Sequence, residues 1–312
     1  MTSHILEKNE VRGLGSNLEL LANQVVEGFI VGLHKSPFHG FSVEFAEHRL
    51  YNTGESTRNV DWKVFGRTNK LYTKKYDEET NLRCQIVIDA SSTMYYPYDE
   101  KKQESRYSNK FCFSAQAGAV LMNALKKQRD AFGLTLFDSQ IRVSTHCKST
   151  TMHYRQLLSH LSQRIEHPEL NKGTNLAQSL HEVAEAVHRR SMVVIFTDIM
   201  ERLDQADEIF SALQHLKHNK HEVILFHVTD KKHEIDFSFE NRPYEFIDME
   251  SGERVKVMPN EIKAYYTQHI GDFVEQLKVR CLQYHIDFVE ADIDQGFVPI
   301  LQTWMAKRQR MM

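Results

Sequence analysis

The sequence predicts an α/β protein built on a doubly wound, mainly parallel sheet, with a small amino-terminal subdomain. From residue 85 onward, short apolar runs alternate with amphipathic stretches of helical period. Near-continuous apolar strands separated by helices are typical of a parallel sheet that is covered on both faces. The preceding stretch instead mixes charged, turn-forming and aromatic residues, which indicates a separate, smaller unit.

The elements of the sheet domain follow one another in a regular order. Short runs rich in β-branched and aromatic residues predict strands, and apolar residues spaced three and four positions apart predict helices. The predicted strands are QIVIDA, DAFGLTLFD, IRVSTHC, SMVVIFTD, HEVILFHVTD and HIDFVEAD. The predicted helices begin at NKFCF, MHYRQ, NLAQS, DQADE, EIKAY and FVPIL.

Two domains are expected from this organisation. Residues 1–81 are predicted to hold one amphipathic helix over 17–34 and a small α+β subdomain with short strands around LYTKKY and one short helix. Residues 82–312 are predicted to hold the sheet, with a β-hairpin insertion near 240–258. Ser251-Gly252 supplies the turn of that hairpin, because glycine accepts the backbone conformations that tight turns require.

Composition excludes several classes of protein. The 312 residues are 41% hydrophobic and 26% charged, which is ordinary for a globular protein. A net charge of -3 gives no basic field for nucleic acid. The chain has no apolar run of the roughly 20 residues that a transmembrane helix needs, and its first residues lack a secretory signal. Its four cysteines form no CxxC pair, so we expect reduced thiols and a cytoplasmic location.

Oxygen-bearing side chains follow three of the predicted elements. Asp89, Ser91 and Thr93 come after the first strand of the sheet, Thr174 precedes a helix, and Asp198 ends the strand VVIF. In an open parallel sheet, ligands bind outside the carboxyl ends of the strands at a topological switch point. Turns and helix caps would also use these residue types. A hard cation such as Mg²⁺, with Mn²⁺ or Ca²⁺ as alternatives, prefers such ligands, and we therefore predict a metal site here.

The series D-x-S-x-T, G-T and T-D resembles the metal-ion-dependent adhesion site of von Willebrand factor type A domains. The resemblance implies that Ser91 and Thr93 bind the metal directly, and that Thr174, Asp89 and Asp198 complete the coordination directly or through water. Threonine stands at position 93 where a serine is usual, and this keeps the hydroxyl. Neutral hydroxyl ligands leave the ion electrophilic, so a carboxylate from a partner protein would complete its coordination.

The small subdomain within residues 1–81, called the amino-terminal block below, adds a second resemblance. An ordered series of residues leads directly into the metal strand: Gly40 to Phe45, Arg49-Leu50-Tyr51, Gly54-Glu55, Arg58, Val60-Asp61-Trp62, Arg67, Leu71-Tyr72 and Glu78-Glu79. This series resembles the bacterial domain of unknown function 58 family, and the resemblance covers about residues 30 to 295. Departures from the family pattern occur at Glu55-Ser56 and Phe65-Gly66. We expect the arginines to pair with acidic residues around a small core filled by tryptophan; a lysine-rich partner-binding face is the alternative. The motif residues of the block are Arg49, Arg58, Asp61, Trp62 and Arg67.

These features favour a non-enzymatic, metal-dependent protein-binding module. The family resemblance implies an adaptor that works with a MoxR-type AAA+ ATPase in protein assembly or maturation. Tyr95, Tyr96 and Asn175 are candidates for a partner-binding rim around the metal. The alternative is a phosphoester hydrolase of the haloacid-dehalogenase type, whose pattern is D-x-D-x-T. Ser91 occupies the place of the second aspartate, and a serine cannot serve there as the general acid and base.

Overall fold

A computed structural model describes residues 17–30, 44–50, 60–77, 82–98, 108–200 and 203–311. The chain divides into two compact units, one of residues 38–82 and the other of residues 1–37 together with 83–312. The helices of the larger unit are α1 (Leu18–Ile30), α3 (Lys110–Lys127), α4 (Thr151–Glu166), α5 (Leu176–Ala186), α6 (Leu203–His218), α7 (Pro259–Gln283) and α8 (Phe297–Met311). None of the described helices is long and apolar enough to cross a bilayer.

A six-stranded sheet forms the centre of the larger unit. Its strands are β3 (Arg83–Asp89), β4 (Ala131–Phe137), β5 (Ile141–Ser144), β6 (Met192–Thr197), β7 (Glu222–Thr229) and β10 (Asp287–Asp292). They lie in the order β10-β7-β6-β3-β4-β5, and every neighbouring pair is parallel except β4 with β5. The chain therefore proceeds outward from β3 in one direction and from β6 in the other. This confirms the predicted fold class, a doubly wound, mainly parallel α/β sheet.

Helices cover both faces of the sheet, which explains why its central strands are apolar throughout. Val87 of β3 and the β6 side chains on the same face of the sheet belong to one buried hydrophobic cluster with α5, α6 and α7. On the opposite face, Gly118 of α3 packs closely on β3, and a Cβ at this position would lie 3.4 Å from both Ile86 and Ile88. Phe226 of β7 meets Trp304 of α8 edge to face. Successive residues of one strand thus face different helices.

Helix α1 lies with the sheet unit, whereas the sequence grouped it with the small subdomain. Its apolar stripe, which includes Leu21 and Val25, is buried. Asn23 accepts a hydrogen bond of 3.0 Å from Asn123 of α3. The sequence showed that this helix had an apolar face, but only the tertiary structure shows which element covers it. The predicted helix extends to residue 34, and its last residues lie outside the described part of the chain.

The smaller unit is described in two pieces. Strands β1 (Glu44–Leu50) and β2 (Tyr72–Asp77) are antiparallel, and α2 (Trp62–Thr68) lies between them in the chain. The Asp61 side chain caps α2 by accepting hydrogen bonds from the backbone N–H groups of Lys63 and Val64. The expectation that Trp62 fills a small core is wrong, because this side chain is 61% exposed.

The remaining motif residues of this block carry less information. Arg67 is exposed in the last turn of α2. Arg49 belongs to β1, but its side chain is outside the described part, as is the whole of Arg58. The predicted pairing of these arginines with acidic residues therefore stays a prediction.

A hairpin and a long helix precede the last strand of the sheet. Strands β8 (Tyr244–Ile247) and β9 (Arg254–Val257) are antiparallel, and the turn between them includes Gly252 with a φ of 75°. Only glycine adopts such a φ without strain. Pro259 then begins α7, in the first turn, where its missing N–H costs no helical hydrogen bond.

Candidate metal centre

The predicted ligands lie at the carboxyl edge of the sheet, where the strand order reverses. Asp89 ends β3, and Asp198 directly follows β6, its neighbour in the sheet. Thr174 lies in the loop that leads into α5. Ligands bind at this position in doubly wound sheets because the loops on either side diverge and leave a crevice.

The carboxylate of Asp89 is the centre of a hydroxyl-rich cluster. Its Oδ1 accepts the backbone N–H of Ser91 at 2.8 Å. Its Oδ2 accepts the hydroxyls of Thr197 at 2.9 Å and of Thr174 at 3.3 Å. The Ser91 and Thr93 hydroxyl oxygens lie 3.2 Å apart. The structure thus brings Asp89, Ser91, Thr93 and Thr174 together, and adds Thr197, which was not among the predicted ligands.

Two loops hold Thr174 against Asp89. The backbone N–H of Ser92 donates to the carbonyl of Lys172 at 3.0 Å, and the N–H of Lys172 donates to the Ser92 hydroxyl at 2.7 Å. Asn175 donates its backbone N–H to the Asp138 carbonyl at 3.1 Å. The Ser92–Lys172 bonds join loops that are 80 residues apart in the chain, and the three bonds together hold Thr174 beside Asp89.

Asp198 has an internal partner that the sequence did not reveal. The Lys110 Nζ atom donates to its Oδ2 at 2.6 Å and to Glu234 Oε1 at 2.5 Å. Lys110 is fully buried and Asp198 is 5% exposed. A lysine that directly precedes the apolar helical run FCFSAQAGAVLM was the available signal, because a lysine buried with that run must be paired.

Burial and charge together set the ionisation of these groups. Burial, and next the negative charge of Asp198, raise the pKa of Asp89 to about 7, although its hydrogen bonds oppose the shift. Burial would lower the pKa of Lys110, but Asp198 and Glu234 together raise it above its ordinary value. Burial also raises the pKa of Glu234, against the effect of Lys110. Lys110 is therefore a charged ammonium inside the protein.

The donor set fits a hard divalent cation. Asp89 is a completely buried carboxylate whose described hydrogen-bond donors are a backbone amide and two hydroxyls, so a cation would relieve the cost of its burial. The described residues contain no group of three or more His, Cys, Asp or Glu side chains placed to hold a metal. Any metal here would therefore be bound largely by neutral hydroxyls, as the sequence predicts, and not by a cage of carboxylates.

The three predicted rim residues have different environments. The expectation for Tyr95 is wrong, since it is 1% exposed and packs on Phe111 with ring centroids 5.1 Å apart. Tyr96 is half-buried, and its carbonyl accepts the backbone N–H of Lys110 at 3.1 Å. Asn175 is exposed and caps α5 through a hydrogen bond from the Gln178 N–H.

The histidines that end α6 and begin β7 do not form a common centre. His215 contacts His181 through their Nδ1 atoms at 3.0 Å. His218 is exposed, and His221 is buried against the backbone of Ser191. The three side chains have separate environments, so they do not hold one metal ion together.

Residues 47–271 match the family described as "Protein of unknown function DUF58". The chain belongs to this family. The DUF58 chain is 22% identical over 217 residues to the uncharacterized proteins Mb1516 of Mycobacterium bovis and Rv1480 of Mycobacterium tuberculosis. This match covers 69% of the chain and 64% of each relative, so the chain spans less than two thirds of the length of the curated relatives it matches.

Solved structures give weaker likenesses to the DUF58 chain. The conserved hypothetical protein BatB from Bacteroides thetaiotaomicron is 13% identical, with a TM-score of 0.44 over 73% of this chain and 99% of that one. The VWA domain of SpRpn10 is also 13% identical, with a TM-score of 0.32 over 48% of this chain and 76% of that one. Likenesses of this strength say nothing about function.

Proposed function

We propose that this DUF58 protein is a non-enzymatic, divalent-cation-dependent module for protein binding. The observation that carries the proposal is the cluster around Asp89, in which a buried carboxylate meets the Thr174 and Thr197 hydroxyls beside the Ser91–Thr93 pair. Hard cations such as Mg²⁺ prefer oxygen donors of this kind. The cluster lies where doubly wound sheets bind ligands.

The residues that would hold the cation are Asp89, Ser91, Thr93 and Thr174, together with the Asp198 oxygen that does not contact Lys110. A bound Mg²⁺, Mn²⁺ or Ca²⁺ would supply an electrophilic centre for one carboxylate oxygen of a partner protein. The chain's own contribution is to hold the hydroxyls in place through the paired loops around Ser92 and Lys172.

The environment of Asp89 favours binding over nucleophilic chemistry. Both of its oxygens accept hydrogen bonds from within the protein, and such bonds reduce the reactivity of a carboxylate nucleophile. Ser91 stands where a D-x-D-x-T phosphatase has its second aspartate, and no proton-transfer group replaces it at that position. The partner that we infer from the family resemblance is a MoxR-type AAA+ ATPase, with the DUF58 protein as its adaptor in protein assembly or maturation.

The test compares metal-dependent stabilisation of the wild type with that of Asp89→Asn. A cation that binds only the folded state at about 100 times its Kd adds about 2.7 kcal/mol to the free energy of unfolding. We expect Mg²⁺ to raise the Tm of the wild type and to have no such effect on Asp89→Asn. Asp272→Asn, an exposed aspartate of α7, is the matched control and should respond like the wild type.

The same proteins, used as baits with and without chelator, should capture a partner only with metal and only when Asp89 is intact. Equal Mg²⁺-dependent changes in Tm for the wild type and Asp89→Asn would contradict the proposal. Metal-dependent cleavage of p-nitrophenyl phosphate that disappears in Asp89→Asn would favour the hydrolase instead.

A further inference from the structure

Lys110 is a fully buried lysine at the start of α3. Buried lysines are rare and are retained only when they are paired. Lys110 bridges two carboxylates, with its Nζ atom 2.6 Å from Asp198 Oδ2 and 2.5 Å from Glu234 Oε1. One of these acids is a predicted metal ligand, so the ammonium lies beside the position that a cation would occupy.

We propose that Lys110 is a positioning residue that sets the cation affinity of this centre. Its positive charge offsets the negative charges of Asp198 and Glu234 in the metal-free protein. It also weakens cation binding until a partner adds a carboxylate. This inference rests on the proposed function. It goes beyond that function because it says why the metal and the partner would each raise the affinity for the other.

The first reason is the competition for Asp198. The ammonium uses one lone pair of this carboxylate, so fewer lone pairs remain for a metal or for a water bound to it. A positive charge this close to a divalent cation also repels it, and in a buried site solvent screens that repulsion weakly. Both effects lower the affinity of the centre for a free cation.

The second reason is the position of Glu234. Its Oε2 accepts the backbone N–H of Asp230 at 2.7 Å, and its own carbonyl accepts the Tyr266 hydroxyl at 2.9 Å. Glu234 is thus an acid of the chain itself that shares the ammonium of Lys110 with Asp198. Without Lys110 this carboxylate would be unneutralised beside the centre and would compete with a partner's acid for the cation.

The consequence is a linkage between metal and partner. With Lys110 present, the cation lacks one negative charge that the chain could otherwise supply. A partner's carboxylate would supply it and so raise the cation affinity, and by reciprocity the cation would raise the affinity for the partner by the same factor. Lys110 therefore favours binding of the cation and the partner to the same protein molecule.

The experiment measures Mn²⁺ affinity by calorimetry for the wild type, Lys110→Met and the double variant Lys110→Met/Glu234→Gln. We expect Lys110→Met to bind Mn²⁺ at least tenfold more tightly than the wild type, because a nearby positive charge is gone. The double variant should bind Mn²⁺ less tightly than Lys110→Met, because Glu234→Gln makes one of the two side chains that lost the ammonium neutral. Lys220→Met, at an exposed lysine, should match the wild type.

A folded Lys110→Met protein that binds Mn²⁺ no more tightly than the wild type would overturn the inference. If Lys110→Met does not fold, the double variant decides the question, because it leaves one unpaired acid instead of two and should still bind more tightly than the wild type. Failure of the proposed function has a different signature, in which neither the wild type nor any variant binds Mn²⁺.

Discussion

The carboxyl edge of the central sheet buries charged side chains, whereas two turns at its amino edge expose them. At the carboxyl edge, Asp89, Lys110 and Asp198 are buried. Lys110 donates to Asp198, and Asp89 accepts the Thr197 hydroxyl. At the amino edge, the turns before β6 and β7 carry cationic side chains around an open cavity of about 490 Å³. That cavity is lined by His188, Arg189, Arg190, His218, Asn219 and Lys220.

The difference shows where charge demands a partner and where it does not. A buried ion must be paired, since an unpaired one costs several kcal/mol (roughly 3–5 when one member of a pair is removed). Arg189, Arg190 and Lys220 are exposed, and water satisfies them. The buried charges of the carboxyl edge therefore point to function, whereas the exposed charges of these two turns need only keep the surface hydrated.

The largest expected effect is on Lys110. In metal-free solution, Lys110→Met should lower the free energy of unfolding by about 3–5 kcal/mol, because it removes the only cation that the structure shows bonded to the buried Asp198 and takes one cationic partner from the half-buried Glu234. Lys220→Met at the amino edge should change it by no more than about 0.5 kcal/mol. Urea denaturation followed by circular dichroism measures both. Similar losses for the two variants would remove the distinction between the edges.

A smaller effect concerns two histidines of the amino edge. Burial lowers the pKa of His221, against the effect of its contact with Ser191, and the nearby His188 and His215 lower it further. Because the unfolded chain then binds more protons, stability falls as the pH drops below the unfolded value of about 6.5.

Unfolding free energies at pH 7.5 and pH 5.5 test this expectation. The loss between the two pH values should be smaller in His221→Gln than in the wild type. It should be unchanged in His218→Gln, because His218 is exposed. A loss that is unaffected by His221→Gln would place the pH dependence elsewhere.

The smallest expected effect is a gain in stability. Lys220 follows α6 and has a left-handed backbone, with a φ of 61°. Glycine is preferred at this position after a helix because it lacks the Cβ that the left-handed conformation disfavours. Lys220→Gly should therefore raise the free energy of unfolding by about 0.5–1 kcal/mol, less the entropy that glycine adds to the unfolded chain.

Thermal denaturation of Lys220→Gly and Lys220→Met separates the backbone effect from the loss of charge. Equal Tm values for the two variants would show that backbone strain at this turn is negligible.

Elements with strong local patterns were predictable from the sequence. The apolar runs of β3, β6 and β7, and the amphipathic periods of α4 and α5, specify their structure through residues close in the chain. The D-x-S-x-T series was predictable for the same reason, since Asp89 accepts the backbone N–H of Ser91 two residues away. The buried position of Tyr95 was not predictable, because its neighbour Phe111 lies across a stretch with no clear pattern.

The sequence by itself determined the order of strands and helices, and it placed most of the candidate ligands at strand ends. Only the tertiary structure decided that Lys110 joins them, because its partners Asp198 and Glu234 are 88 and 124 residues away. Local patterns record which face of a helix is apolar. Local patterns do not show which distant carboxylate will neutralise a lysine, because that depends on how the loops of separate strands meet at one edge of the sheet.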